Sequence, residues 1–135
     1  MNPLGQSRTA ASRVLILDDE SDIRASLGGF LDDCGFSVLV AGSAEEALSL
    51  DLLAEVGVAV VDIRLGGMDG LGFIKLAHAK HPGIRFLIHT GSTDFRLDED
   101  LRSIGLTEAD VLYKPVADIG MFEAAIRVRM AGGGA

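Results

Sequence analysis

Residues 58–70 read VAVVDIRLGGMDG, and this stretch decides the fold. The apolar run at 58–61 has the length of a strand and is typical of one buried on both faces of a parallel sheet. Asp62 follows directly, so its carboxylate lies at the carboxyl end of the predicted strand, where open α/β sheets bind ligands. A carboxylate buried there is costly unless it is paired or holds a metal. The alternative is that Asp62 only caps the turn that follows.

The composition limits the class of protein. The chain has 135 residues, of which 48% are hydrophobic, so it is expected to form one domain with a substantial core. Its formal net charge of −8 argues against direct nucleic-acid binding. No apolar run approaches the roughly 20 residues of a membrane span, and the N-terminal residues contain no apolar signal core. The single cysteine, Cys34, allows no disulfide within the chain. We therefore expect a cytoplasmic protein that does not enter a membrane.

Short apolar runs alternate with stretches of helical periodicity along the chain. The predicted strands are 14–17, 37–41, 58–61, 84–89 and 111–113, and the predicted helices are 21–34, 43–53, 70–81, 93–104 and 118–130. This fivefold alternation predicts a parallel sheet covered by helices on both faces. The predicted domain covers residues 13–131, between a flexible leader at 1–12 and a flexible tail at 132–135.

Two local patterns have simple structural interpretations. Ser43 and Glu46 have the spacing of a capping box, which predicts the start of the second helix. His89 ends the fourth predicted strand, and no residues nearby suggest a catalytic triad. It is interpreted as a histidine that faces solvent.

Polar side chains follow four of the predicted strands. Asp18 and Asp19 follow the first strand, Asp62 the third, Thr90 the fourth and Lys114 the fifth. Because the carboxyl ends of parallel strands meet at one edge of a sheet, we expect these side chains to lie close together. Carboxylates gathered there repel one another, and a bound cation would relieve the repulsion. The alternative for the acids after the first strand is a solvated helix N-terminus.

This set of groups suits phosphoryl transfer to a carboxylate. That reaction needs a nucleophilic aspartate, a divalent cation such as Mg²⁺ that neutralises the converging charges, and an ammonium and a hydroxyl that bind the phosphoryl oxygens. Asp62 is the predicted nucleophile. Asp18 and Asp19 are the predicted partners of the cation, and Lys114 and Thr90 are the predicted phosphoryl contacts.

Four stretches together resemble a known family. They are VLILDDE at 14–20, VVDIRLGGMDG at 60–70, TG at 90–91 and KP at 114–115. In this order and spacing the chain resembles the receiver domains of two-component response regulators over about residues 13–130. The resemblance implies a flavodoxin-like fold, in which a doubly wound (βα)5 unit has a five-stranded parallel sheet in the order 2-1-3-4-5.

The resemblance also implies a chemistry for the site. Asp62 would be phosphorylated by a phosphohistidine on a sensor histidine kinase or a histidine phosphotransfer protein. Asp19, Asp62 and the backbone carbonyl of Arg64 would bind Mg²⁺, with Asp18 acting largely through metal-bound water. Lys114 would contact the phosphoryl group.

Thr90 would be the second phosphoryl contact, and the bond between Lys114 and Pro115 would be cis. The family implies no enzymatic turnover beyond self-catalysed phosphoryl transfer and dephosphorylation. A homodimer through the face of helix 4, strand 5 and helix 5 is a further hypothesis.

The sequence departs from the family pattern at three positions. Gly66 stands where the family usually has proline, which predicts a looser loop. Arg64 brings a long cation near the phosphoryl group. Val111 stands where the family usually has an aromatic switch residue, and Tyr113 lies two residues further on the same strand face. We therefore predict that Tyr113 does not move in beside Thr90, and that signalling depends on the loop after Thr90 and the helix at 93–104.

Two other functions are kept as alternatives. One is a Mg²⁺-dependent phosphatase or phosphotransferase that forms an aspartyl phosphate. Enzymes of the haloacid-dehalogenase-like class, which work in this way, need two acids separated by one residue after the first strand, whereas Asp18 and Asp19 are adjacent. The other is a receiver-like interaction module that works without phosphorylation.

Overall fold

The computed structural model describes residues 12–133, which form a five-stranded parallel sheet between two layers of helices. The strands are β1 Arg13–Leu17, β2 Ser37–Ala41, β3 Val58–Val61, β4 Arg85–Thr90 and β5 Val111–Tyr113. The helices are α1 Ser21–Asp33, α2 Ala44–Leu48, α3 Gly70–Lys80, α4 Glu99–Ser103 and α5 Gly120–Gly133. The sheet order β2-β1-β3-β4-β5 confirms the predicted flavodoxin-like fold.

The central strand β3 is buried on both faces, as its apolar run predicts. Val58 and Val60 pack into a core that α1 and α5 cover, while Ala59 and Val61 pack into a core that α2, α3 and α4 cover. Small aliphatic side chains therefore let both helix layers approach the middle of the sheet. Among the described residues, no helix has the length and apolar character that crossing a bilayer requires.

The loop from β3 to α3 depends on Gly70. A Cβ atom on this residue would lie 2.2 Å from the carbonyl oxygen of Asp62 and 2.9 Å from the Cα of Ile63. The Gly70 N–H donates to the carbonyl of Ile63 at 3.0 Å, and this bond closes the loop at its base. Asp69 caps the first turn of α3 by accepting the N–H of Gly72 at 2.9 Å. Glycine is therefore needed at position 70 so that α3 can begin directly against Asp62, the residue that follows β3.

Two helices are shorter than the sequence predicts. The predicted helix at 93–104 is helical only over Glu99–Ser103, because Asp98 accepts the Leu101 N–H at 2.8 Å and so caps the helix there. Leu97, before the cap, is 6% exposed and packs into the core from the loop. Burial of this side chain, rather than helical periodicity, explains its apolar character.

The second helix, predicted to reach residue 53, ends at Leu48. Ser49 follows it, and the Ser49 hydroxyl donates to the carbonyl of Glu46 at 2.8 Å. Leu53 begins a separate 3-10 turn, Leu53–Glu55. At the start of α2, Ser43 accepts the Glu46 N–H at 3.1 Å, while the Glu46 carboxylate accepts the N–H of Gly42 rather than that of Ser43. Only half of the predicted capping box therefore forms.

The two ends of the predicted domain are described only in part. The predicted leader at 1–12 lies outside the described residues except for Ser12. Helix α5 continues to Gly133, two residues into the predicted tail, and the last two residues of that tail lie outside the description.

Substitution of Gly70 by alanine tests the close contact under the site. The new methyl group would collide with backbone atoms that cannot move separately, so we expect the free energy of unfolding to fall by about 1–3 kcal/mol. Gly29→Ala is the matched control, because a Cβ atom at this helical position meets nothing within 4 Å. It should stabilise the protein by up to about 1 kcal/mol. Urea denaturation of both variants measures the difference, and a Gly70→Ala protein as stable as wild type would contradict the contact.

Candidate functional site

Four residues at strand ends define a charged site at the carboxyl edge of the sheet. Asp18 follows β1 directly, Asp62 follows β3, Thr90 ends β4 and Lys114 follows β5. The ladder of backbone hydrogen bonds continues through them: the Asp62 N–H donates to Leu17 at 2.8 Å, and the Lys114 N–H donates to Thr90 at 2.7 Å. The backbone at these positions is therefore as well fixed as the strands themselves. Asp18, Asp62 and Thr90 are all at most 5% exposed.

The Lys114 ammonium lies among three carboxylates. Its Nζ is 3.0 Å from Asp18 Oδ2, 2.9 Å from Glu20 Oε2 and 3.4 Å from Asp62 Oδ2. Burial alone would lower the pKa of Lys114, but the hydrogen bonds to Glu20 and Asp18 raise it above the usual range. Lys114 is therefore a permanent positive charge at this edge, and the following Lys114–Pro115 bond is cis, as the resemblance implies.

The acids form one compact cluster. Asp18, Asp19, Glu20 and Asp62 each offer a carboxylate oxygen, and these oxygens all lie within 4.8 Å of one another. Burial and the nearby charge of Asp18 raise the pKa of Asp62, although Lys114 and the backbone N–H of Arg64 oppose this shift. Oxygen ligands of this kind suit a hard cation such as Mg²⁺. Glu20 is the third of three consecutive acids after β1, but the sequence does not predict its bond with Lys114.

Arg64 and Thr90 connect the site to the loop after β4. The Arg64 N–H donates to Asp62 Oδ1 at 3.2 Å, and its exposed guanidinium donates to the Ser92 hydroxyl at 3.2 Å. Thr90 Oγ1 accepts the Ser92 N–H at 3.1 Å. Ser92 therefore contacts one residue from each side of the site, so that the loops after β3 and β4 are joined there.

Tyr113 lies on the outer side of the same loop. Its side chain is exposed, and its hydroxyl donates to the carbonyl of Phe95 at 3.4 Å. Val111 occupies the buried start of β5 and is 8% exposed. The position of Tyr113 during signalling stays a prediction.

The interpretation of His89 as solvent-facing is wrong. The side chain is 6% exposed and packs edge-on against Phe122 of α5, with ring centroids 4.9 Å apart. Strand alternation explains the error, because His89 shares a sheet face with Leu87, which packs into the core that α5 covers. Among the described residues, His89 Nδ1 has no hydrogen-bond partner. Burial and the charge of Lys114 lower the pKa of His89 to about 4.

Comparison with known proteins places this geometry in a family. The family model described as the response regulator receiver domain matches residues 14–126. This match, together with the doubly wound fold and the acid–lysine cluster, defines a signalling domain of two-component systems. The chain belongs to the response regulator receiver domain family.

Individual relatives agree with this assignment. The chain is 32% identical over 122 residues to the transcriptional regulatory protein FixJ of Bradyrhizobium diazoefficiens, a match that covers 88% of this chain and 58% of that protein. It is 31% identical to the C4-dicarboxylate transport transcriptional regulatory protein DctD of Rhizobium meliloti, covering 88% of this chain and 25% of the relative. The chain thus spans little more than half of one of these relatives and a quarter of the other.

The fold also matches solved structures. The crystal structure of a CheY-like response regulator receiver domain protein from Methanospirillum hungatei superposes with a TM-score of 0.74 at 24% sequence identity, covering 91% of this chain and 96% of that one. At this level of identity the likeness concerns the fold alone.

The burial of His89 predicts a specific pH dependence of stability. The histidine titrates near 6.5 when unfolded and near 4 when folded, so the unfolded state binds more protons between these values. Stability should therefore fall as the pH falls from 6.5 to 4, by about 2–3 kcal/mol from this residue. His89→Leu should lose that part of the pH dependence, as measured by urea denaturation across this range.

The control for this prediction is His78→Leu, which replaces a partly exposed histidine on α3. It measures how far loss of a partly exposed histidine changes the profile, and the change in His89→Leu should be the larger of the two. An unchanged pH profile in His89→Leu would contradict the buried, neutral state of His89.

Proposed function

We propose that Asp62 accepts a phosphoryl group from a phosphohistidine and that this domain thereby receives a two-component signal. The supporting observation is the Asp62 carboxylate, which is buried at the end of the central strand with Lys114 Nζ 3.4 Å away. The donor is a sensor histidine kinase or a histidine phosphotransfer protein. The raised pKa of Asp62 marks a carboxylate whose charge is poorly compensated without a further partner.

The residues present fit Mg²⁺. Asp19 and Asp62 would bind the ion with side-chain oxygens, the backbone carbonyl of Arg64 would be a third ligand, and Asp18 would act through water. The support is the acid cluster, in which carboxylate oxygens from two strand ends lie within 4.8 Å of one another. When bound, the ion supplies positive charge that offsets the negative charge on the phosphoryl oxygens and the attacking carboxylate.

The chain's own groups account for the transfer step. An oxygen of the Asp62 carboxylate attacks phosphorus, the P–N bond of the phosphohistidine breaks, and the imidazole nitrogen keeps the electron pair. The Lys114 ammonium and the Thr90 hydroxyl contact phosphoryl oxygens, where negative charge must be balanced. Attack of water on the acyl phosphate later returns Asp62 and inorganic phosphate. The domain carries out no other turnover in this proposal.

The output depends on the loop between β4 and α4. The loop begins directly after Thr90, Ser92 joins it to Arg64, and the Tyr113 hydroxyl donates to the carbonyl of Phe95 within it. A phosphoryl group that contacts Thr90 and Arg64 would therefore change the two hydrogen bonds that hold Ser92 near the start of the loop. Tyr113 stays on the outside in this proposal, and the short helix α4 moves with the loop.

The place of action and the partner surface are also proposals. The domain acts in the cytoplasm, where it meets the kinase. A homodimer would use the face of α4, β5 and α5, where the Tyr113 side chain of β5 is exposed. The charge of −8 is consistent with the absence of direct nucleic-acid contacts by this domain.

Phosphorylation by a small donor tests the acceptor. With Mg²⁺ and acetyl phosphate, wild type should gain one phosphoryl group by intact-mass analysis, and chelation of the metal should abolish the gain. Asp62→Asn should gain none, because the amide is not a nucleophile towards phosphorus. Asp51→Asn, which changes an exposed acid outside the cluster, should behave as wild type.

Two outcomes would count against the proposal. An equal mass gain in Asp62→Asn would assign the phosphoryl group to another residue. No gain in wild type, despite Mg²⁺ and donor, would favour an interaction module that works without phosphorylation.

A further inference from the structure

The loop from β3 to α3 contains two consecutive glycines in front of the site. A Cβ atom on Gly66 would meet nothing within 4 Å, so packing does not restrain this residue. Gly67 has a φ of 73°, in the left-handed region that favours glycine. Such a pair has many accessible conformations, and holding it in one of them is costly in entropy. The loop begins at Arg64, whose carbonyl is a proposed Mg²⁺ ligand.

Glu45, on the neighbouring helix α2, holds this loop. Its Oε2 accepts the backbone N–H of Met68 at 3.0 Å. In the part of the chain that the structure describes, this is the one hydrogen bond from the backbone of residues 64–69 to another helix. The bond lowers the pKa of Glu45, so the carboxylate accepts it in the charged form at neutral pH.

The same carboxylate also fits closely against Gly67. Its Oε2 lies 3.1 Å from the place that a Cβ atom on Gly67 would occupy. The left-handed conformation of Gly67 and the absence of a side chain there together let Glu45 reach the Met68 N–H. The Glu45 carboxylate and the loop thus fit each other in conformation as well as in hydrogen bonding.

We propose that Glu45 is a positioning residue for the phosphorylation site: it orders the loop of residues 64–68 and so sets the position of the Arg64 carbonyl. The loop is closed at its base by the bond between Gly70 and Ile63, and Arg64 at its start bonds to Asp62 and Ser92. Glu45 adds a further point of attachment near its tip. This inference rests on the proposed function, because it needs the Arg64 carbonyl as a Mg²⁺ ligand. Glu45 touches neither the metal nor the phosphoryl group in this account.

The test compares wild type with Glu45→Ala, Glu45→Gln and Glu46→Ala. Glutamine removes the charge but keeps an oxygen that can accept the Met68 N–H. Glu46→Ala removes one charge from the same helix, where the Glu46 carboxylate accepts the Gly42 N–H at 2.9 Å. Glu45 is exposed and alanine favours helices, so Glu45→Ala is expected to fold.

Two measurements are made on each protein. The first is amide hydrogen exchange of residues 64–68 without metal, which should be faster in Glu45→Ala alone, most of all at Met68. The second is the dissociation constant for Mg²⁺ from an NMR titration. Glu45→Ala should bind about fivefold more weakly than wild type, as expected for loss of one hydrogen bond that orders a ligand loop. Glu45→Gln and Glu46→Ala should stay close to wild type in both measurements.

The outcomes separate this inference from the function on which it rests. Absence of Mg²⁺ binding in wild type would overturn the proposed function and the inference with it. Binding in wild type with no change in Glu45→Ala would overturn the inference alone. An equal weakening in Glu45→Ala, Glu45→Gln and Glu46→Ala would show an effect of charge, and it would also overturn the positioning role.

Discussion

The site depends on the ion pairs of the Lys114 ammonium, because this positive charge lies among carboxylates that the sheet brings together. Asp18 and Asp62 are 2% and 5% exposed, and a buried carboxylate without a partner is strongly unfavourable. The parallel sheet brings these residues together, since β1, β3 and β5 deliver them to one edge. In the proposed function the same carboxylates would bind a cation, and Lys114 would contact a phosphoryl oxygen.

The loops around the cluster are held by contacts of different strength. Gly70 packs against the backbone of Asp62 so closely that no side chain fits, which fixes the base of the loop after β3. Further out, Glu45 and Ser92 hold the loops by single hydrogen bonds near the surface. A rigid base next to weakly held loops suits a domain whose acceptor must stay in place while its surface changes.

The strands and the strand-end residues could be predicted from the sequence because both depend on local patterns. The apolar run before Asp62 and the polar residue after each strand are visible without knowledge of tertiary contacts. Strand alternation with Leu87 indicates that His89 is buried, but its ring contact could not be predicted, because Phe122 on α5 is 33 positions away in the sequence. The length of α4 could not be predicted either, because Leu97 lies in the loop before the helix and its apolar character reflects burial rather than helical periodicity. The proposed role of Glu45 depends on a contact across 23 positions that no spacing rule describes.

When no metal is bound, Lys114 offsets the repulsion within the acid cluster. The most direct measurement is the free energy of unfolding of Lys114→Met and wild type at pH 7, each with and without Mg²⁺. Without Mg²⁺ the variant should be less stable by roughly 2–4 kcal/mol, because buried carboxylates lose their partner. With Mg²⁺ the difference should shrink, since the ion binds the same carboxylates and stabilises the folded state by mass action. A variant as stable as wild type without Mg²⁺ would contradict the account.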